Sequence, residues 1–166
     1  LFRVAMSGFS GHVIASTLVG NAQAALEVTV DTIRQKSSAY TGAVLRDIQA
    51  VQMRVSAAAA RIDAAYGIVR SDMAEAQAFA ERGEVPDLER KLRAKRNVSF
   101  AVGLCSEAFD NLMTLGGANG TYDRNPLQRM FRDDRSGATH IQFNQDMNYS
   151  TWGLMALGGD VRMPTL

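Results

Sequence analysis

The stretch from Val44 to Ala76, VLRDIQAVQMRVSAAAARIDAAYGIVRSDMAEA, decides the fold. Its residues Val44, Ile48, Val51, Val55, Ala58, Ile62, Ala65, Val69, Met73 and Ala76 advance by three or four positions, the period of a helix with one buried face. The pattern persists up to Gly83, predicting a helix of ~35 residues, roughly 50 Å long at 1.5 Å per residue. Alanines at 57 to 60, 64 and 65 form a shallow core face for close packing, and the interleaved Arg and Asp keep the other side wet. Long antiparallel helices in a bundle satisfy such a face.

The flanking segments read the same way. From about His12 to Gln35, the residues Val13, Leu18, Ala22, Ala25, Val28 and Ile33 recur at helical intervals, and turn-type residues from Ser37 to Gly42 end the pattern. A third helix opens at Val85-Pro86-Asp87, with Pro near the first helical position, and runs through Leu92, Phe100, Leu104, Phe109 and Leu112. It ends at Gly116-Gly117, a pair suited to a left-handed cap. A polar loop from Ala118 to Arg124 follows, and Asn125-Pro126 then supplies an N-cap and a first-turn proline for a fourth helix. That helix carries Leu127, Met130 and Phe131, loosens near Gly137 and resumes around Tyr149 to Leu157. No strand-like alternation of any length occurs. The fold class is therefore all-α, an up-down four-helix bundle, with residues 1–166 as a single domain.

Composition bounds the chemistry. With 166 residues, the chain is long enough to bury a core without disulfides, and the single Cys105 excludes a disulfide framework. Eighteen Lys and Arg against 17 Asp and Glu leave a formal charge of +1, so no electrostatic case exists for nucleic acid as a partner. Apolar runs break after a few residues, which predicts no membrane span. The start Leu1-Phe2-Arg3-Val4-Ala5 has neither an initiator Met nor a signal-peptide core, so the expectation is a cytoplasmic protein, cut from something longer.

Two histidines cannot build a multi-histidine metal site. His12 has no local partner and reads as a surface or capping residue. His140 follows Arg129, Arg132, Asp133, Asp134 and Arg135 and stands where Gly137 interrupts the helical pattern, a place suited to proton exchange near neutral pH. The cluster Arg90, Lys91, Arg93, Lys95, Arg96 spreads around more than one helical face and reads as solvated. Cys105 reads as a small core residue, and Tyr149 and Trp152 as packing residues.

The segment Leu115-Gly116-Gly117-Ala118-Asn119-Gly120-Thr121-Tyr122, followed by Asn125-Pro126-Leu127-Gln128-Arg129-Met130-Phe131-Arg132-Asp133, resembles the Gly-Gly…Pro-x-x-Arg-x-x-Arg-Asp signature of the acyl-CoA dehydrogenase superfamily. The Leu18-Val19-Gly20-x-Ala22 pattern extends the resemblance over essentially the whole chain. It implies the C-terminal helical domain of a larger flavoprotein. Dehydrogenases of the family place a carboxylate base about nine residues after the signature Arg or on the first helix of this domain; here the first position is Ile141, and Leu1 to Leu26 hold no Asp or Glu. The segment from Asp133 to His140 instead resembles the Arg-Asp…His segment of the two-component flavin-dependent monooxygenases on this fold.

That resemblance implies a function and its parts. An oxygenase component receives reduced FMN or FAD from a separate flavin reductase, oxygen adds at the flavin C4a position, and the terminal oxygen passes to a small aromatic or polycyclic substrate. His140 would serve as the catalytic acid or base. Gly116 and Gly117 would let the backbone approach the cofactor of a neighbouring subunit. Arg129 and Arg132 would contact flavin phosphate or, for Arg132, form a structural ion pair with Asp133 or another carboxylate. Homo-oligomers assembled as dimers of dimers are implied as well. Met113 departs from the Gln that the dehydrogenases often carry three residues before the first Gly. An acyl-CoA dehydrogenase domain and a bundle serving mainly oligomerisation stay open as alternatives.

Overall fold

The computed structural model describes residues 6–162. The opening segment 1–5, read above for its lack of an initiator Met or signal peptide, lies outside the described residues. Five helices follow in order: α1 (Met6–Gln35), α2 (Gln49–Arg82), α3 (Leu88–Gly116), α4 (Pro126–Ala138) and α5 (Gln145–Ala156).

Contacts fix their directions. Along α1 and α2, His12 meets Asp72, and Val19 and Gly20 share a groove with Ile62 and Tyr66, so the two run antiparallel. Between α2 and α3, Arg61 pairs with Glu107 and Asp72 with Asn97, again antiparallel. Against α3 lie α4, through Ser106 to Asp134, and then α5, through Ser99 to Asn148 and Arg96 to Trp152. Helices α4 and α5 thus form one broken fourth member of an up-down bundle. The break is a short 3-10 turn over Ile141–Phe143, and the helix resumes at Gln145, four residues ahead of the sequence expectation.

The caps follow the local chemistry. Asn125 accepts a hydrogen bond from the Leu127 amide at 3.0 Å, with Pro126 at the first position of α4. At α3 the cap is Asp87, whose carboxylate accepts from the Arg90 amide at 2.9 Å, and Pro86 stands outside the helix instead of in its first turn. Gly83 closes α2 in the left-handed conformation (φ 72°, ψ 20°). Gly117 does not: its φ of 56° comes with a ψ of −155°, which turns the chain away into a 3-10 turn over Gly117–Thr121 in place of the expected polar loop. A positive φ there still favours glycine.

The core gathers Ala15, Leu18, Val19, Ala22 and Ala25 of α1, Ala58, Ile62, Ala65 and Val69 of α2, and Val98, Val102, Cys105, Phe109 and Leu112 of α3. The alanine face of α2 is narrower than its sequence implies, since Ala60 and Ala64 are exposed. Burial pushes the Cys105 thiol up to about 12, consistent with a core residue. Residues Phe9–Gln35 are long and apolar enough, at a mean hydropathy of 1.3, to cross a membrane by length and composition alone. The small polar residues between them do not lower the mean enough to break the run, and one face of this helix lines the bundle core.

Polar residues inside the bundle overturn two further readings. His12 is not on the surface: it is fully buried, and its Nε2 donates to Asp72 Oδ2 at 2.9 Å. The other Asp72 oxygen accepts from Asn97 Nδ2 at 3.0 Å, so a carboxylate on the supposedly wet side of α2 is shared among three helices. The basic run of α3 is not a solvated face either. Arg90 and Arg93 pair with Glu75, Lys95 is buried with its ammonium pushed to lower pKa by desolvation, and Arg96 stacks on Trp152.

Two stability outcomes follow. Truncating His12 to Ala leaves Asp72 buried with one donor fewer and is expected to cost about 3 kcal/mol in urea unfolding; Asp72→Asn in that background should recover part of it, whereas strictly additive losses would mean the pair is uncoupled. Asp134 is wholly buried, with only the Ser106 hydroxyl among the described residues donating to it, at 2.9 Å, and desolvation raises its carboxyl above the ordinary 3.8. The folded chain then holds a proton that the unfolded chain releases, so stability falls as pH rises from about 4 through the folded-state value. Asp134→Asn is expected to raise the melting temperature at pH 7, with the gap closing toward pH 4.

Candidate functional site

His140 stands in the break of the fourth helix. Its amide donates to the Gly137 carbonyl at 3.0 Å, and its own carbonyl accepts from the Phe143 amide at 2.8 Å, closing the 3-10 turn. The imidazole caps that turn: Nδ1 accepts from the Gln142 amide at 3.2 Å. With Nδ1 as acceptor, the neutral ring carries its proton on Nε2. The ring leans on Phe143 at a centroid distance of 5.9 Å and lines a surface recess of about 430 Å³ with Thr139, Ile141, Asn144 and Asp146. The arrangement can present a donor at Nε2 to a ligand in the recess.

Residues missed in the sequence hold this turn. A Cβ on Gly11 would stand 3.4 Å from Gln142 Cβ and 3.6 Å from the Phe143 ring, so the start of α1 lies directly behind the His140 turn. Asn148 Nδ2 donates to the Gln142 carbonyl at 2.9 Å and to Ser99 Oγ at 2.7 Å, tying the turn to α5 and α3. Gly103 leaves space for Gln145, whose Nε2 would meet a Cβ there at 2.7 Å. The one sequence signal for these positions is glycine or a small polar residue on an otherwise apolar helical face.

The glycines lie elsewhere. Gly116 ends α3 where a Cβ would come within 3.1 Å of Leu127 Cδ2, while Gly117 faces open space. Gly116 also lines a narrow pocket of about 40 Å³ with Thr32, Lys36, Asn119 and Asn125, which has room for no more than a few waters. Lys36 adds a cation to this end that sequence reasoning overlooked. Thirteen-residue α4 spans roughly 20 Å between the two ends, so the chain does not bring Gly116 and Gly117 together with His140.

Arg129 and Arg132 lie between, on α4. Arg129 is 73% exposed and only 3.9 Å from Asp133, a loose pair one helical turn apart. Arg132 is exposed and has no ion pair among the described residues, so the structural pairing with Asp133 is not formed. The buried acid of this segment is its neighbour Asp134. Arg132, exposed and without an ion pair among the described residues, has the chemistry to meet an anionic group.

Comparison with known proteins bears on this geometry. The family model described as "Acyl-CoA dehydrogenase, C-terminal domain" matches residues 12–145. The oxygenase component of an FADH(2)-dependent resorcinol hydroxylase from a Rhizobium species is 34% identical over 154 residues, covering 87% of this chain and 37% of that protein. The oxygenase subunit HsaA of a flavin-dependent monooxygenase from Rhodococcus jostii is 28% identical over 87% of this chain and 38% of its own length. Among solved structures, XiaF from a Streptomyces species, in complex with FADH2 and glycerol, superposes with a TM-score of 0.94 at 28% identity, covering 100% of this chain and 42% of that one. Butyryl-CoA dehydrogenase from Megasphaera elsdenii shares the fold at a TM-score of 0.72 and 19% identity, over 93% of this chain and 38% of its own. The chain spans somewhat more than a third of the length of the curated relatives it matches. With a family match over most of its length and the same helical architecture, the chain belongs to the acyl-CoA dehydrogenase C-terminal domain family.

Proposed function

We propose that the chain is the C-terminal domain of the oxygenase component of a two-component flavin-dependent monooxygenase that hydroxylates a small aromatic or polycyclic substrate. The observation that carries the reading is His140, capped at Nδ1 and open at Nε2, next to Ile141, the position where a dehydrogenase would carry a carboxylate and which is here apolar and 64% exposed. Reduced flavin, when bound, supplies the activated oxygen. A separate reductase delivers it, and the FADH2 in the XiaF complex together with the FADH(2) dependence of the resorcinol hydroxylase relative favours FAD over FMN.

The chain's own residues do the rest. His140 donates from Nε2 to the substrate hydroxyl or the departing oxygen and so moves one proton at a defined atom. The turn fixed by Gly11, Phe143 and Asn148 holds that atom steady, which is the preorganisation such a donor needs. At the other end of α4, Gly116 and Gly117 admit the flavin of a neighbouring subunit, and Arg132, with Arg129 beside it, meets its phosphate. A cytoplasmic setting suits a protein that takes a reduced cofactor from a reductase.

The assembly is a homo-oligomer, a dimer of dimers. Beside an apolar groove of about 530 Å³ between α1 and α2, Asp63 and Arg70 stand seven residues apart on α2 with Tyr66 between them. Two copies of α2 pairing antiparallel about a two-fold axis would set each Asp63 against Arg70 of the partner subunit.

A second reading, an acyl-CoA dehydrogenase, has one observation in its favour: the Asp146 carboxylate lines the recess beside His140. In the full-length protein, His140→Ala is expected to lower product formed per oxygen consumed by about tenfold or more, with hydrogen peroxide released instead, the fold retained and the melting temperature lowered only by the small loss of the turn's cap. Unaltered coupling removes His140 from the reaction, and bleaching of bound oxidised flavin by an acyl-CoA would establish the second reading. Light scattering at micromolar concentration should give a dimer or tetramer that Arg70→Glu weakens; a pure monomer counts against the assembly.

A further inference from the structure

A second recess of about 360 Å³ opens between α3 and α5, lined by Arg96, Asn97, Phe100 and Tyr149. Its cation is held unusually firmly. Arg96 Nε and Nη2 both donate to Asn97 Oδ1, at 3.2 and 2.7 Å, and the guanidinium lies over the Trp152 ring at 4.2 Å. Asn97 is itself anchored on buried Asp72, which His12 holds from the other side. Arg96 has no carboxylate partner among the described residues, whereas Arg90 and Arg93 of the same helix share Glu75 and Arg61 holds Glu107 at 2.9 Å. No Asp or Glu lines the recess among the described residues.

Around this cation the lining is aromatic. Phe100 is exposed and Tyr149 half-buried, its hydroxyl pushed to higher pKa by desolvation while the Arg96 charge opposes that shift. A guanidinium fixed in place and left uncompensated binds a carboxylate with little ordering cost, because its side-chain entropy is already lost. Two ring surfaces beside it add apolar and stacking area for a planar group. The volume falls within the usual range of small-molecule sites.

We propose that this recess binds an aromatic carboxylate: the carboxylate on Arg96, the ring against Phe100 and Tyr149. The site is separate from the His140 turn and stands whether or not the oxygenase reading holds.

Calorimetric titration of the full-length protein with benzoate tests it, with benzamide as the neutral analogue. Benzoate should bind saturably and benzamide about tenfold or more weakly. Arg96→Met, which keeps an apolar stem over Trp152, should weaken benzoate by about tenfold or more, and Tyr149→Leu by a smaller factor; His140→Ala should leave it unchanged. Thermal unfolding of each variant checks folding, and Tyr149→Leu carries the test if Arg96→Met does not fold. Absence of saturable benzoate binding overturns the proposal, as does equal affinity for benzamide or loss of binding in His140→Ala alone. Benzoate affinity unchanged in folded Arg96→Met, or in Tyr149→Leu where that variant carries the test, does the same.

Discussion

The carboxylate of Asp72 is the point on which the bundle turns. A buried charge is tolerated only where donors replace the water it has lost, and here they come from two other helices, His12 of α1 and Asn97 of α3. That requirement sets α1, α2 and α3 at one level along the bundle axis. Apolar packing alone, with so many alanines on the facing surfaces, would tolerate sliding by a turn. Once α1 is fixed in height, Gly11 lies behind Gln142 and Phe143, and the turn bearing His140 has its backing.

The broken fourth helix is the other organising feature. Helix α4 packs on the C-terminal half of α3 and α5 on its N-terminal half, with Ser106, Gly103 and Ser99 meeting Asp134, Gln145 and Asn148 in succession. Polar and small residues on this seam of α3 give directional contacts in place of a smooth apolar ridge. The exchange fixes register and leaves the intervening segment as a 3-10 turn outside the α-helical ladder, which a histidine side chain can cap.

Much of this was legible in the sequence, and the parts that were not share a cause. The long periodic helices, the Asn125-Pro126 start of α4 and the burial of Cys105 are local or periodic properties, and they are where the sequence placed them. His12 was misjudged because its partner is 60 residues away, and nothing near it in the chain signals a buried acid. Lys95 and Arg96 looked solvated because charge is a property of the residue while burial belongs to the helix packed above it. At the candidate site, His140 stood out through the Gly137 interruption, but its supports Gly11, Ser99 and Asn148 come from three helices and carry no motif. The distance between the glycine pair and His140 was equally hidden, since a motif continuous in sequence conceals the rod of helix inside it.

That rod has a consequence for how the chain tolerates change in length. A straight helix has both ends phased to one another: one residue added or removed in α4 advances its far end by 1.5 Å and swings it by about 100°. Such a change would turn the His140 recess away from the bundle side that Leu18 and Gly11 define, while Gly116 and Leu127 stayed in contact. The loop from Lys36 to Ile48 has no such phasing, and length variation there is absorbed by a turn. Lineages built on this domain should therefore vary freely in length before α2 and hold α4 to an invariant count.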